Sequence, residues 1–379
     1  MRRSRGLKLI LCAVCLILLT SFFTLNVFCE MPDGYRDMID GLGDEVEQYL
    51  PDGMHSSNTD DVGEAVEQMT GARFWMNTLY AIAENELKGA VLLFARLCGL
   101  VVIAAVFSAL ERSMTSGAMS GALRFCTTTA VFAAVIGIET EHLNRVSEFF
   151  GRLYALMGSM IPITSAVWAM GGNVSTATSS TSTLYIFLNV CEGICGKSVV
   201  PVCCLFSVFA LCNSLSSEIG LSGLSGSLKK SYTTFLGIIM TVLVASLASS
   251  TVLTSAADST SARAAKIISA NVIPVVGASV GDTLRTVATS VQYLKGIIGI
   301  GGTIFIALML LPLLVSLLLT RSAFLLAAGV ARAVGCGAEG SFLSELGGVY
   351  SIMVAVVSMS SVMFIFALTI FSKTVVAIA

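Results

Sequence analysis

Few residues in this 379-residue sequence have the type and spacing to do chemistry. Two histidines, His55 and His142, stand among eleven cysteines, and Cys191 and Cys195 have three residues between them but no second ligand pair nearby. A zinc site needs three or four such groups to converge, so no metal centre is expected and none of the residues is assigned as a metal ligand. The Gly-x-Gly-Asp string Gly41-Leu42-Gly43-Asp44 has no partner aspartate in any apolar run. No phosphate-binding loop or His-Glu-x-x-His string is present, and no residue is assigned to a catalytic or cofactor site.

What remains are charges and helix breakers within or beside apolar runs. Arg96, Glu192 and Lys197 fall there, and an unpaired charge in hydrocarbon costs at least ~2.5 kcal/mol, so each needs a partner or a wet surface. Arg96 and Lys197 can snorkel, which leaves Glu192, beside Gly193, as the better functional candidate. Pro162 and Pro274, each preceded by isoleucine, would remove a helical hydrogen bond at membrane depth, which is tolerated only where protein or water serves the freed carbonyl. With Pro201 and Pro312, these residues are the candidate conduit or helix-break positions.

The elements that carry them are helices in a membrane. Hydrophobic residues make up 55% of the chain and charged residues 12%, against roughly 25% charged in a soluble domain, and the mean hydropathy is +0.86. The fold class is therefore all-α and polytopic. Uncharged windows mark spans at 198–217, 231–257, 296–320 and 346–372, with further spans at 89–110 around Arg96 and at about 122–139. Residues 153–191 read as two shorter helices joined by a polar turn at Gly171-Gly172 and the Ser/Thr run after it. Cysteines inside such runs behave as small hydrophobes. A net charge of -2 gives no basic balance for nucleic acid.

Arg2, Arg3, Arg5 and Lys8 precede the uncharged stretch Leu9–Cys29, the pattern of a secretory signal peptide over residues 1–29, with an uncleaved anchor as the alternative. Residues 30–88, with fourteen acidic against three basic residues, then form an acidic extracytoplasmic segment. Within it, Asp60 and Asp61 cap a helix carrying Val62, Ala65, Val66 and Met69. Phe74, Trp75, Leu79, Tyr80 and Ile82 form the face of an interfacial helix. The segment is expected to fold against partners or the membrane surface.

An internal repeat organises the rest. Residues 107–129 align without a gap on 212–234, pairing Ser120-Gly121 with Ser225-Gly226, Thr128-Thr129 with Thr233-Thr234, and Arg124 with Lys229. Pro201 follows Pro162 by 39 residues and Pro312 follows Pro274 by 38. The repeat unit reads as a helical hairpin of two spans around a short basic loop, then an outer loop, which in repeat 1 falls between the spans at 122–139 and 153–191, and a Pro-broken or re-entrant connector: repeat 1 over 89–197, repeat 2 over 198–302 and a truncated repeat 3 over 303–379. The basic loops holding Arg112 and Arg124, Lys229 and Lys230, and Arg321 and Arg332 would all be cytoplasmic, which makes the repeats parallel. Arg263 and Lys266 fall outside, against the rule. Gly220, Gly223 and Gly226, and Gly296, Gly299 and Gly302, offer small surfaces for close helix contact.

With the signal and the acidic segment, the run from Ser261 to Ser269 leading into Ile273-Pro274-Val275-Val276-Gly277 resembles the stage III sporulation protein AE family of endospore-forming bacteria. The resemblance implies a multi-pass protein of the mother-cell membrane around the forespore, a non-enzymatic component of the channel or feeding-tube complex between the two compartments. It also implies other stage III sporulation membrane and ring proteins as partners beside the lipid bilayer and a possible homo-oligomer. The family supplies no set of functional residues to carry over. The chain would form or line the conduit, or scaffold it. A free-standing secondary transporter or permease is the alternative, and it alone would show activity in liposomes without partners.

Overall fold

Apolar residues recur at helical spacing along nearly the whole chain, and the computed structural model is helical over nearly all the residues it describes, which are 39, 42, 44–55, 59–113, 117–215, 221–272 and 277–374. Residues 1–29, where a signal peptide is expected, lie outside the described residues, as do Gly41, Gly43 and Pro274 and the side chains of Arg124, Arg263 and Lys266. After a single turn at Asp44–Glu47, the helices are α1 (Thr59–Thr70), α2 (Ala72–Ser113), α3 (Gly117–Met170), α4 (Val174–Cys191), α5 (Val199–Leu215), α6 (Leu221–Val272), α7 (Gly277–Val334) and α8 (Gly337–Lys373). A π-helical segment, Glu192–Gly196, joins α4 to α5. No strand occurs among the described residues. Among the described residues, six helical stretches are long and apolar enough to cross a membrane: Ala72–Leu110, Gly121–Met170, Val174–Ser214, Gly223–Thr260, Arg285–Val334 and Gly337–Lys373.

Side-chain pairs fix the helix directions. Along α3 and α8, Thr128 meets Glu339, His142 meets Tyr350, Tyr154 meets Phe364 and Trp168 meets Phe371, so these two run parallel. Lys229 meets Glu345 and Gly237 meets Met359, so α6 runs the same way. Phe324 stacks on Tyr350, and Lys295 donates to the carbonyl of Thr374, so α7 is antiparallel to α8. Thr176 and Ser180 of α4 meet Asp258 and Thr251 of α6, again antiparallel. Arg145 and Glu86 pair about equally far from the α2–α3 connection, which makes these helices a hairpin. The ends bearing Arg112, Lys229, Lys230, Arg321 and Arg332 therefore gather at one end of the bundle.

Two of these turns need glycine. At Gly172, φ is 76°, with Asn173 N–H donating to Trp168 O and Gly172 N–H to Ala169 O. At Gly335, φ is 91°, and the same pair of bonds reaches Ala331 and Arg332. Both close a helix with its last carbonyls satisfied in a conformation that a side chain would strain.

The structure departs from the sequence reading in helix length. Residues 140–152 form a helix, not an outer loop, so 122–139 and 153–170 belong to one helix of 54 residues. The uncharged window ends at Glu139, but the apolar spacing does not: Leu143, Val146, Phe149, Phe150, Leu153, Leu156, Met157 and Met160 carry one buried face straight through the charged stretch. At ~1.5 Å per residue α3 is ~80 Å long, nearly twice the ~40–45 Å of a bilayer with its headgroups. The helix also continues through Pro162, because the ring lies on the exposed side while Met160, Ile161, Ile163 and Thr164 are buried. Likewise, Phe74 to Ile82 form the opening turns of α2, not a separate interfacial helix.

The acidic segment packs on the bundle. Val62, Ala65, Val66 and Met69 are buried, Val66 lies against Gly301 of α7, and the acids Asp60 and Asp61 stand exposed in the first turn of α1. Gly299 and Gly302 admit close neighbours: a Cβ at Gly302 would lie 2.7 Å from Met160 and 2.9 Å from Leu368, whereas one at Gly223, Gly226 or Gly296 would meet nothing.

Candidate functional site

One group of the polar side chains that the fold buries lies in a layer across α3, α5, α7 and α8. Glu139 and His142, three residues apart, share the inward face of α3. Glu139 is 2% exposed and accepts a hydrogen bond from the Ser207 hydroxyl of α5. His142 Nε2 lies 3.3 Å from Thr320 Oγ1 of α7, and its ring meets Tyr350 of α8 edge to face at 5.4 Å. Glu139 Oε2, His142 Nδ1 and Tyr350 Oη are buried with no protein partner. Three orphaned polar atoms in one layer are costly unless water or a proton serves them.

Ion pairs flank this layer. On one side, Lys229 Nζ bonds Glu345 Oε2 at 2.8 Å and lies 5.7 Å from the centre of the Phe206 ring, and Thr128 donates to Glu339 at 3.3 Å. On the other, Arg145 joins Ser316 at 2.9 Å to Glu86 at 3.3 Å. The layer and its flanking pairs thus tie six helices together through charge-assisted bonds, the stronger kind in a low dielectric.

A second polar region surrounds the π-helical segment. Tyr154 donates to Cys191 O at 2.8 Å, serving a carbonyl where the regular i to i+4 ladder is interrupted. Gly196 leaves room for that ring, since a Cβ there would lie 2.7 Å from Tyr154 Cε2. Ser198 shares a 2.8 Å hydrogen bond with Tyr232 of α6 and donates to Ile194 O. Further along, α4 is capped from another helix. Its own Asn173 makes no side-chain cap bond, and Asp258 of α6 accepts from Ser175 N–H at 3.1 Å and from Thr176 N–H and hydroxyl, each at 2.8 Å.

The residues singled out by sequence lie on separate elements. Pro162 is exposed on α3. Pro201 is exposed in the first turn of α5, on the same side as the exposed Leu205 and Val208. Pro312 is half-buried in α7 and lines a shallow hollow with Val46, Arg145, Glu148, Phe149 and Arg152. Glu192 sits in the π-helical segment, paired with Lys197 at 3.2 Å with both side chains largely exposed. Arg96 is exposed on α2 among Leu92 and Ile103. Sequence reasoning missed Glu139, His142, Ser207, Thr320 and Tyr350. Their one legible signal was the Glu139/His142 spacing on the apolar face that continues to Leu153.

No group of three potential metal ligands occurs among the described residues, and no serine or cysteine there is held by a histidine base. The layer has the groups to hold a proton or an ordered water and to fix helix register.

Three comparisons bear on what such a bundle is for. The sequence profile described as stage III sporulation protein AE matches residues 61–374. The chain is 21% identical over 301 residues to the stage III sporulation protein AE of Bacillus subtilis (strain 168), an alignment covering 78% of this chain and 74% of that protein. No solved structure matches.

Proposed function

The chain belongs to the stage III sporulation protein AE family, and from that membership we propose that it is a non-enzymatic component of a channel complex joining the mother cell to the forespore. It is a multi-pass membrane protein of a sporulation family. The single observation that carries the finer reading is the profile match over residues 61–374, which takes in all six membrane-compatible helices. The protein sits in the mother-cell membrane around the forespore, with the basic helix ends in the cytoplasm. Its partners are other stage III sporulation membrane and ring proteins, and further copies of the chain. The three hairpins are parallel repeats, each opening toward the outer side.

A passage-forming or scaffolding role fits helices far longer than one bilayer crossing, because they leave lateral surface outside the hydrocarbon for partners. The experiment is affinity purification of the tagged chain from sporulating cells, in gentle detergent, with identification of what accompanies it. Other sporulation membrane proteins in fixed proportion are the expected result. A chain that purifies alone, and moves solutes in liposomes without partners, is the free-standing transporter instead.

A further inference from the structure

The exposed side of α3 differs from that of every other long helix. From Gly137 to Ala169 its exposed residues are glycine, alanine, proline, threonine, serine, asparagine and glutamate, with no large apolar side chain among them. Gly137, Glu141, Asn144, Glu148, Gly151, Ala155, Pro162 and Ala166 recur at steps of three, four or seven residues, so they form one stripe. It is ~44 Å long at ~1.5 Å per residue, more than the ~30 Å of a hydrocarbon core.

At the same height, the opposite kind of surface is exposed on α6. Gly237 meets Met359 of α8, and Met359 lies between Tyr350, which faces His142, and Phe364, which faces Tyr154. Ile238 and Val242, both exposed, therefore stand level with the part of α3 between His142 and Tyr154. Ile186 of α4, next to Phe187 on Phe364, is exposed there as well. At this height α6 and α4 expose Ile238, Val242 and Ile186, with Thr241 and Asn189 beside them, whereas α3 exposes Glu141, Asn144 and Glu148, whose side chain is 61% exposed.

We propose that, within the membrane assembly, this stripe of α3 lines a water-filled passage, while α4 and α6 face lipid. The proposal rests on the passage reading above and names the surface that would serve it. Lipid contact at hydrocarbon depth is unfavourable for the part of the stripe that bears Glu141 and Glu148, since each acidic side chain there costs ~2.5–3.5 kcal/mol. Of the two acids on the stripe, Glu148 is paired with Arg152, and beside it Arg145 is paired with Glu86, so among the described residues there Glu141 alone adds an uncompensated charge. The passage wall is thus polar without a strong field of either sign, which suits water and small hydrophilic solutes of mixed charge.

The test is cysteine accessibility in the intact assembly, with single cysteines at Asn144, Ala155 and Ala166 compared with Ile238 and Ile186, in a background lacking the native cysteines. A membrane-impermeant maleimide should modify the three α3 positions at least tenfold faster than the two controls. If both sets react alike, that part of the bundle stands outside the bilayer and the passage is refuted. If both are protected, the stripe packs against protein or lipid, and the passage is again refuted. Should removal of the native cysteines unfold the chain, Ala155→Trp gives the same reading, quenched by acrylamide if wet and by brominated lipid if not. Protection of α3 with partners still bound sinks the passage alone, whereas absence of partners sinks the functional reading.

Discussion

Asp258→Ala should destabilise the bundle by ~3 kcal/mol. The carboxylate accepts three bonds at the start of α4, from Ser175 N–H at 3.1 Å and from the N–H and hydroxyl of Thr176 at 2.8 Å. Thr176 is fully buried and Asp258 is 6% exposed, so water cannot replace the acceptor without local opening. Losing an N-cap costs ~0.5–2 kcal/mol, and a buried donor left without a partner costs ~1–3 kcal/mol, so the combined figure sits near 3 after partial relaxation. That corresponds to roughly a 150-fold change in the folding equilibrium at 1.4 kcal/mol per decade. Asp258→Asn keeps one acceptor oxygen and should lose about half as much. Reversible unfolding in mixed micelles gives the free energies, and hydrogen exchange at Ser175 and Thr176 localises the effect. The reasoning fails if Asp258→Ala stays within ~0.5 kcal/mol of the parent, a typical surface substitution, or if exchange at those two amides does not speed up.

Gly196→Ala should cost ~1–3 kcal/mol by displacing the Tyr154 ring, 2.7 Å from the added methyl carbon, and Tyr154→Ala should remove most of that penalty in a double-mutant cycle. An additive cycle would show that the ring and the glycine are not in contact. Lys229→Ala and Glu345→Ala should each destabilise, with a coupling energy above ~0.5 kcal/mol because the pair is partly buried; near-zero coupling would mark it as an inert surface pair. Reporter fusions after Arg112, Lys230 and Arg332 should all report cytoplasm, and one at Glu64 the outside. One inverted reading among the three basic ends contradicts the helix directions.

Helix content was legible because uncharged windows and helical spacing both survive in the sequence. The buried face of α1, Val62, Ala65, Val66 and Met69, was read correctly, as was the break at Gly171-Gly172, whereas Asp60 and Asp61 stand within the first turn of a helix that begins at Thr59 and not at its cap. The length of α3 was not, because a rule built on uncharged windows treats Glu139 to Arg152 as aqueous, whereas the fold buries one face of that stretch and exposes the other. The same error hid the polar layer: with 140–152 taken as loop, Glu139 and His142 share no face. Ser207, Thr320 and Tyr350 carry no local signal, since their meaning comes from helices that meet only in three dimensions. The prolines drew attention as helix breakers, yet exposed Pro162 leaves α3 intact because neighbouring packing holds the helix on both sides.

The central claim is that this chain works as a membrane-embedded part of a sporulation assembly. Quantitative mass spectrometry of the tagged protein, solubilised from sporulating cells and resolved by size, tests it most directly. The account predicts a particle much larger than the 39.7 kDa chain, containing other sporulation membrane proteins in constant ratio, and lost when the chain is deleted. A particle holding this chain alone, with the remaining sporulation proteins assembled normally in its absence, would contradict the account.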